Sequence, residues 1–219
     1  MIDRSLRIGM VTLAICTILS ACSLKRDSTV TVITNATIID TYTGTKTLSD
    51  IFIEGERIVD IQPRAGGDVG LGYRDKDAKI IDATGLFAIP GLWDMHVHMT
   101  YIPGLKDTIS ALNIANGVTS VRDMGGELDE ILAFQENAAQ PGAVAPQLWI
   151  SGPWVDGSPP VADGKGEVAQ YPAMSIPVDT PEEAIALVDK LAASGVHFIK
   201  PYEMVRPKVF TAMVKRAHD

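Results

Sequence analysis

Phe87-Ala88-Ile89-Pro90-Gly91-Leu92-Trp93-Asp94-Met95-His96-Val97-His98 decides how the rest of the chain reads. It opens as an apolar run and passes a Pro-Gly pair. It then becomes a short strand in which Asp94, His96 and His98 alternate with Trp93, Met95 and Val97. Side chains at i, i+2 and i+4 of a strand share a face, so the carboxylate and both imidazoles are expected to project together. Two neutral imidazoles held side by side on a rigid strand make half of a divalent-metal site. Taken alone, His-x-His reads more readily as two partly exposed histidines at a strand end, so the surrounding chain has to decide.

C-terminal to His98 the pattern is strand and helix in alternation. Residues 105–116 read as a helix, and 117–126 as a β-branched strand running into a Gly-Gly loop. Residues 128–139 carry Leu128, Ile131 and Leu132 at helical spacing, and 147–152 form a third strand. A loop over 153–179, rich in proline and glycine, follows. Its length predicts a functional segment without regular structure, a lid. Thr180-Pro181-Glu182-Glu183 is a helix start, with Thr as N-cap, Pro in the first position and Glu closing a capping box. That helix ends near Ser194-Gly195, 196–202 is a fourth strand, and 207–217 a last helix.

Four such units in succession predict an α/β fold with a parallel sheet and right-handed crossovers. With the histidine strand first, the expected architecture is a (β/α)8 barrel, of which residues 89–219 supply the first four units. Chemistry in that architecture sits at the C-terminal ends of the strands, where His96, His98, Arg122 and Lys200 all fall. Arg122 and Asp123 end the second strand and read equally as substrate-binding groups or as members of a buried ion pair. Tyr101, Trp154 and Tyr202 are candidates for a pocket wall or for plain packing. His197 is expected to face away from Lys200, as a structural histidine packed toward a helix.

N-terminal to the key stretch, residues 29–88 are hairpin-rich and β-branched, with turns at Thr43-Gly44 and Glu54-Gly55-Glu56-Arg57. Residues 1–21 read as an export signal, with Arg4 and Arg7 ahead of an apolar core over 8–18. They end in Leu19-Ser20-Ala21-Cys22, and residues 22–28 would then be a tether. Both cysteines, Cys16 and Cys22, lie in this segment, which leaves the globular part without a disulfide or a thiolate metal site. The 219-residue chain is 46% hydrophobic with a net charge of −8. That is a globular profile with no basic stripe, which argues against nucleic acid as a partner. No Gly-x-Ser-x-Gly is present to support a serine hydrolase.

Pro-Gly-aliphatic-aromatic-Asp-x-His-x-His after a β-rich segment resembles the first barrel strand of the amidohydrolase superfamily, most closely its imidazolonepropionase and prolidase-type branch. Phe198-Ile199-Lys200-Pro201-Tyr202-Glu203 looks like that family's fourth strand, with Pro201 a departure from its pattern. The resemblance implies the N-terminal half of a TIM-type metal-dependent hydrolase barrel, preceded by part of a small β-sandwich. It implies two divalent metals, zinc for preference, held by His96, His98 and a carbamate formed from CO2 on Lys200. Asp94 would be the acceptor that orients an imidazole. The implied activity is hydrolysis of a C–N bond in a small amide, cyclic amide or dipeptide by metal-activated water. Two further histidines and a general-base aspartate of the family pattern would come after Asp219, so the expectation is the N-terminal part of a longer protein, inactive alone. Residues 19–22 resemble a bacterial lipobox, which implies lipid on Cys22 and an anchor in the cell envelope, with the outer membrane favoured. The alternative is a short envelope lipoprotein that keeps the metal half-site as a binding module.

Overall fold

The computed structural model describes residues 30–64, 78–102, 104–164 and 173–219. The export signal, Cys22 and the tether lie outside the described residues. The chain divides into two compact units, the first ending at Pro90 and the second beginning at Gly91.

In the first unit, β1 (Val30–Ile39) is the central strand. It pairs antiparallel with β2 (Lys46–Glu54), and β2 pairs antiparallel with β3 (Arg57–Pro63). On β1's other side, β4 (Lys79–Asp82) and β5 (Phe87–Ala88) run parallel to it. Val32, Thr34 and Ala36 are buried at alternate positions of β1, as one face of a pleated strand requires. The register slips between Ile33 and Ala36, where Asn35 takes a left-handed φ of 60°. Asn tolerates that conformation because its short side chain bonds locally. The buried Asp50 carboxylate accepts the Asn35 backbone N–H (2.9 Å) and the Arg64 Nε–H (3.1 Å). An amide released by the bulge and a carboxylate buried beside it therefore satisfy one another.

The second unit is built of parallel strands and helices. β6 (Leu92–Val97), β7 (Val118–Asp123) and β8 (Gln147–Ile150) form one parallel sheet in that order. The helices are α1 (Lys106–Ala115), α2 (Leu128–Ala138), α3 (Pro181–Ala193) and α4 (Pro207–His218). Val121, Leu148 and Ile150 turn one face of this sheet onto Ile131 and Phe134 of α2, with Met99 completing that core. Ala184, Leu187, Val188 and Leu191, spaced i, i+3, i+4 and i+7 along α3, pack with Val209 and Met213 of α4 and with Val155.

The third barrel strand does not run straight through. It breaks at Ser151-Gly152-Pro153, where Gly152 has φ 68°, and resumes as β9 (Trp154–Asp156). β9 is flanked in parallel by β10 (Ser175–Pro177) and β11 (Lys200–Pro201). The segment over 153–179 is therefore not the structureless lid expected from its composition. Two of its stretches are strands paired to one another, and residues 165–172 lie outside the described residues. The fourth strand, expected over 196–202, keeps regular pairing only at Lys200 and Pro201. Lower down, the His197 N–H reaches the Ile150 carbonyl (2.8 Å), but the Ile150 N–H goes to His197 Nδ1 (3.1 Å) instead of to a strand carbonyl. A side chain has replaced one rung of the ladder. His197 is thus structural, and its ring packs on Trp149 (ring centres 4.8 Å apart).

The start of α3 is the one predicted in detail. Thr180 accepts the Glu183 N–H (3.2 Å), and the Glu183 carboxylate returns to the Thr180 N–H (3.1 Å). Thr180→Ala should cost about 1 kcal/mol. In a thermal melt this is a fall of about 2–4 °C, and an unchanged melting temperature would deny the cap any weight.

Candidate metal centre at the strand ends

His96 and His98 lie at the C-terminal end of β6, with ring centres 5.3 Å apart and planes at 68°. His98 Nδ1 is 3.0 Å from the Gly125 carbonyl oxygen. A carbonyl only accepts, so the bond requires the proton on Nδ1 and leaves the Nε2 lone pair free. This is the usual support for a metal-ligating histidine, with a backbone carbonyl as the acceptor. His96 titrates below its ordinary range, first because it is partly desolvated and then because the positive charges of His98, Lys200 and Arg122 face it. Asp94 opposes that shift without cancelling it. The shift favours the neutral, metal-ligating form of His96.

The shared face expected for Asp94, His96 and His98 is interrupted. Asp94 pairs with Val121 but Val97 pairs with Asp123, so three steps along β6 match two along β7. The extra residue is a bulge, and strict alternation does not survive it. Asp94 accordingly accepts the His96 backbone N–H (3.0 Å). The expected role of orienting an imidazole falls, for His98, to the Gly125 carbonyl.

Lys200 sits opposite Trp154 in the β11–β9 pairing, half-buried, and its charge reaches His96. Among the described residues it has no ion-pair partner. Arg122 is not in an ion pair either. Its Nε donates to the Met95 carbonyl (2.7 Å), and its guanidinium lies over the Phe198 ring at 5.9 Å. It therefore ties the backbone just before His96 to the segment that leads into Lys200.

The aromatic candidates cluster around His98. Tyr101 and Trp154 lie 5.9 and 5.8 Å from the His98 ring, and Tyr202 stacks on Trp154 at 4.0 Å and 13°. Trp154 is buried, and its Nε1–H donates to the Met124 carbonyl (2.6 Å). Burial, with the charges of Glu203, Asp156 and Tyr101 behind it, raises Tyr202, so its phenol keeps its proton and remains a donor. Among the described residues no group of three or more His, Cys, Asp or Glu side chains is placed to hold a metal. The donor set is two imidazoles beside one lysine amine, and those types suit a borderline divalent cation.

Asp123, expected beside Arg122 as a substrate-binding group or half of a buried ion pair, serves as an acceptor for backbone amides. It is fully buried and accepts the Met99 N–H (2.6 Å) and the Gly125 N–H (3.0 Å). The signal was present in Asp123-Met124-Gly125-Gly126, an aspartate able to accept the amide two residues on. Burial pushes its carboxyl up to about 6, against the lowering effect of both amides and His98. Its folded pKa lies above the unfolded value, so the folded state holds the extra proton between about pH 4 and pH 6. The stability owed to this group is full at the acid end of that window and falls as pH rises through it, by up to about 3 kcal/mol. Wild type minus Asp123→Asn in urea unfolding should therefore decline from pH 4 to pH 7. A flat difference would contradict the assignment.

No family model matches the sequence. Over 66 residues the chain is 39% identical to the dihydroorotase of Streptococcus thermophilus (strain CNRZ 1066), covering 30% of this chain and 14% of that protein. Over 95 residues it is 35% identical to the dihydroorotase of Solibacter usitatus (41% and 20% covered). Over 89 residues it is 33% identical to adenine deaminase 2 of Agrobacterium fabrum (41% and 14% covered). Among solved structures, a prolidase complexed with N-methylphosphonate-L-proline superposes with a TM-score of 0.66 at 21% identity, over 87% of this chain and 54% of that one. Phenylurea hydrolase B gives 0.69 at 19% identity, over 87% and 53%. The chain thus spans about half the length of these structures, and its matched segments span a fifth or less of the curated relatives. These likenesses show a fold shared with the superposed hydrolase structures over 87% of the chain, and local sequence similarity to dihydroorotases and an adenine deaminase.

Proposed function

We propose that the chain supplies the first metal-binding half of a hydrolase acting on C–N bonds, of the prolidase-like branch, with a small amide, cyclic amide or dipeptide as substrate. The observation that carries this reading is the pair of imidazoles side by side at one strand end, one with Nδ1 on the Gly125 carbonyl and the other within reach of the Lys200 charge. His96 and His98 would hold a divalent cation, zinc for preference, and a carbamate on Lys200 would join a second one to it. The chemistry such cations supply when bound is activation of water toward a carbonyl carbon. The chain's own groups prepare that step. Gly125 keeps a proton on His98 Nδ1, desolvation and then the neighbouring positive charges favour the unprotonated form of His96, and Tyr202 stacks on the Trp154 that packs against His98. The names of the curated relatives and of the superposed structures support hydrolysis at carbon–nitrogen bonds.

The test is expression of the complete open reading frame that contains this chain, followed by metal analysis and a screen of dipeptides, lactams and hydantoins. Metal-dependent hydrolysis that a chelator removes, and His96→Ala and His98→Ala abolish, is the expected result. A folded, metal-loaded product inert toward all of them would leave a binding module instead. The lipobox-like residues 19–22 support a lipid anchor on Cys22 and an envelope location. Radiolabelled palmitate should be incorporated into the wild type and not into Cys22→Ser, and equal labelling of the two would refute the anchor.

A further inference from the structure

We infer that Asp123 is a positioning residue for His98, acting through the backbone of Gly125; this rests on the proposed role of His98 as a metal ligand. The bonds close a ring. One Asp123 carboxylate oxygen holds the amide of Met99, the residue after His98, and the other holds the amide of Gly125. The Gly125 carbonyl returns to His98 Nδ1. The intervening turn is clamped on either side, by Met124 N–H to the Val97 carbonyl (2.9 Å) and by Trp154 Nε1–H to the Met124 carbonyl (2.6 Å). Asp123 is fully buried, and among the described residues it forms no ion pair. A carboxylate is worth burying here because both amides are fixed donors that would otherwise be left without acceptors away from water. Removing it loosens the Met124–Gly125 peptide, and the Gly125 carbonyl on the next peptide is then steadied from its own side by the long bond from Gly126 N–H to the Gly152 carbonyl (3.3 Å). The carbonyl then no longer selects the Nδ1–H tautomer, and the Nε2 lone pair of His98 is lost to the metal site for part of the time.

The experiment is a long-range 1H–15N correlation spectrum of the metal-free, full 219-residue chain, with His98 assigned by comparison with His98→Gln. Wild-type His98 is expected in the Nδ1–H form. Asp123→Ala should move it toward the Nε2–H form and, in a separate titration, weaken zinc binding by about 10–100-fold. Asp123→Asn, which keeps one acceptor oxygen, should fall between the two. A wild type already in the Nε2–H form, or a folded Asp123→Ala with His98 unchanged, overturns the inference. If Asp123→Ala does not fold, Asp123→Asn decides by the same reading, and an unchanged His98 again overturns it. A wild type that binds no zinc would count against the metal reading of His98, while the tautomer comparison, made without metal, still decides the role of Asp123.

Discussion

Gly125→Ala should lose about 3–5 kcal/mol of stability. A Cβ at Gly125 would lie 2.0 Å from Trp154 Nε1 and within 2.8 Å of two ring carbons, on a backbone with φ 156°. The indole cannot step aside cheaply. Its N–H is committed to the Met124 carbonyl and its face to Tyr202, so moving it breaks a buried hydrogen bond and a stacked pair together. Gly117→Ala isolates the backbone contribution, because Gly117 has φ 78° but nothing within 4 Å of the added methyl. It should cost only about 1 kcal/mol. Urea unfolding of the two variants, with near-ultraviolet circular dichroism reporting on Trp154, makes the comparison. Equal losses would mean that the contact between Gly125 and Trp154 is not tight.

The second large effect concerns metal affinity. Replacing both His96 and His98 by Ala removes the only two imidazoles that the structure sets side by side at the strand ends. Loss of supporting groups alone costs about 10–100-fold in affinity, so loss of both ligands should cost at least about 100-fold for zinc or cobalt. His197→Ala is the matching control. His197 is spent on the Ile150 amide and on Trp149, so its loss should disturb the sheet and leave metal affinity within a few fold. Equilibrium dialysis of the three proteins decides, and equal affinity in wild type and the double variant would remove the metal centre from this strand.

Much of this was legible in the sequence because it rests on local rules. The helix starts at Pro181 and Pro207, the apolar spacing of α3 and the strand that carries His96 and His98 all follow from period and capping. What was hidden depends on chain segments distant in sequence. The bulge in β6 is a register relation with β7, so nothing in Asp94-Met95-His96 itself announces that alternation fails there. The fourth strand is ragged because the imidazole of His197 takes a backbone amide 47 residues away. The segment over 153–179 looked structureless because its strands β9 and β10 have three residues each, too short for a periodic signal. The sequence left Arg122 open between a substrate-binding group and half of an ion pair, because carbonyl acceptors such as that of Met95 leave no mark in a sequence. Asp123 had a local signature, but its importance comes from Met99 and His98, 24 and 25 positions earlier.

The most direct test of the central claim is anomalous diffraction from crystals of the chain grown with zinc, with data collected on either side of the zinc edge. The account predicts an anomalous peak at about 2.0–2.1 Å from nitrogens of both His96 and His98, with His98 bound through Nε2 and its Nδ1 still on the Gly125 carbonyl. A peak only at other residues, or an empty site in crystals whose zinc is bound elsewhere, would contradict it.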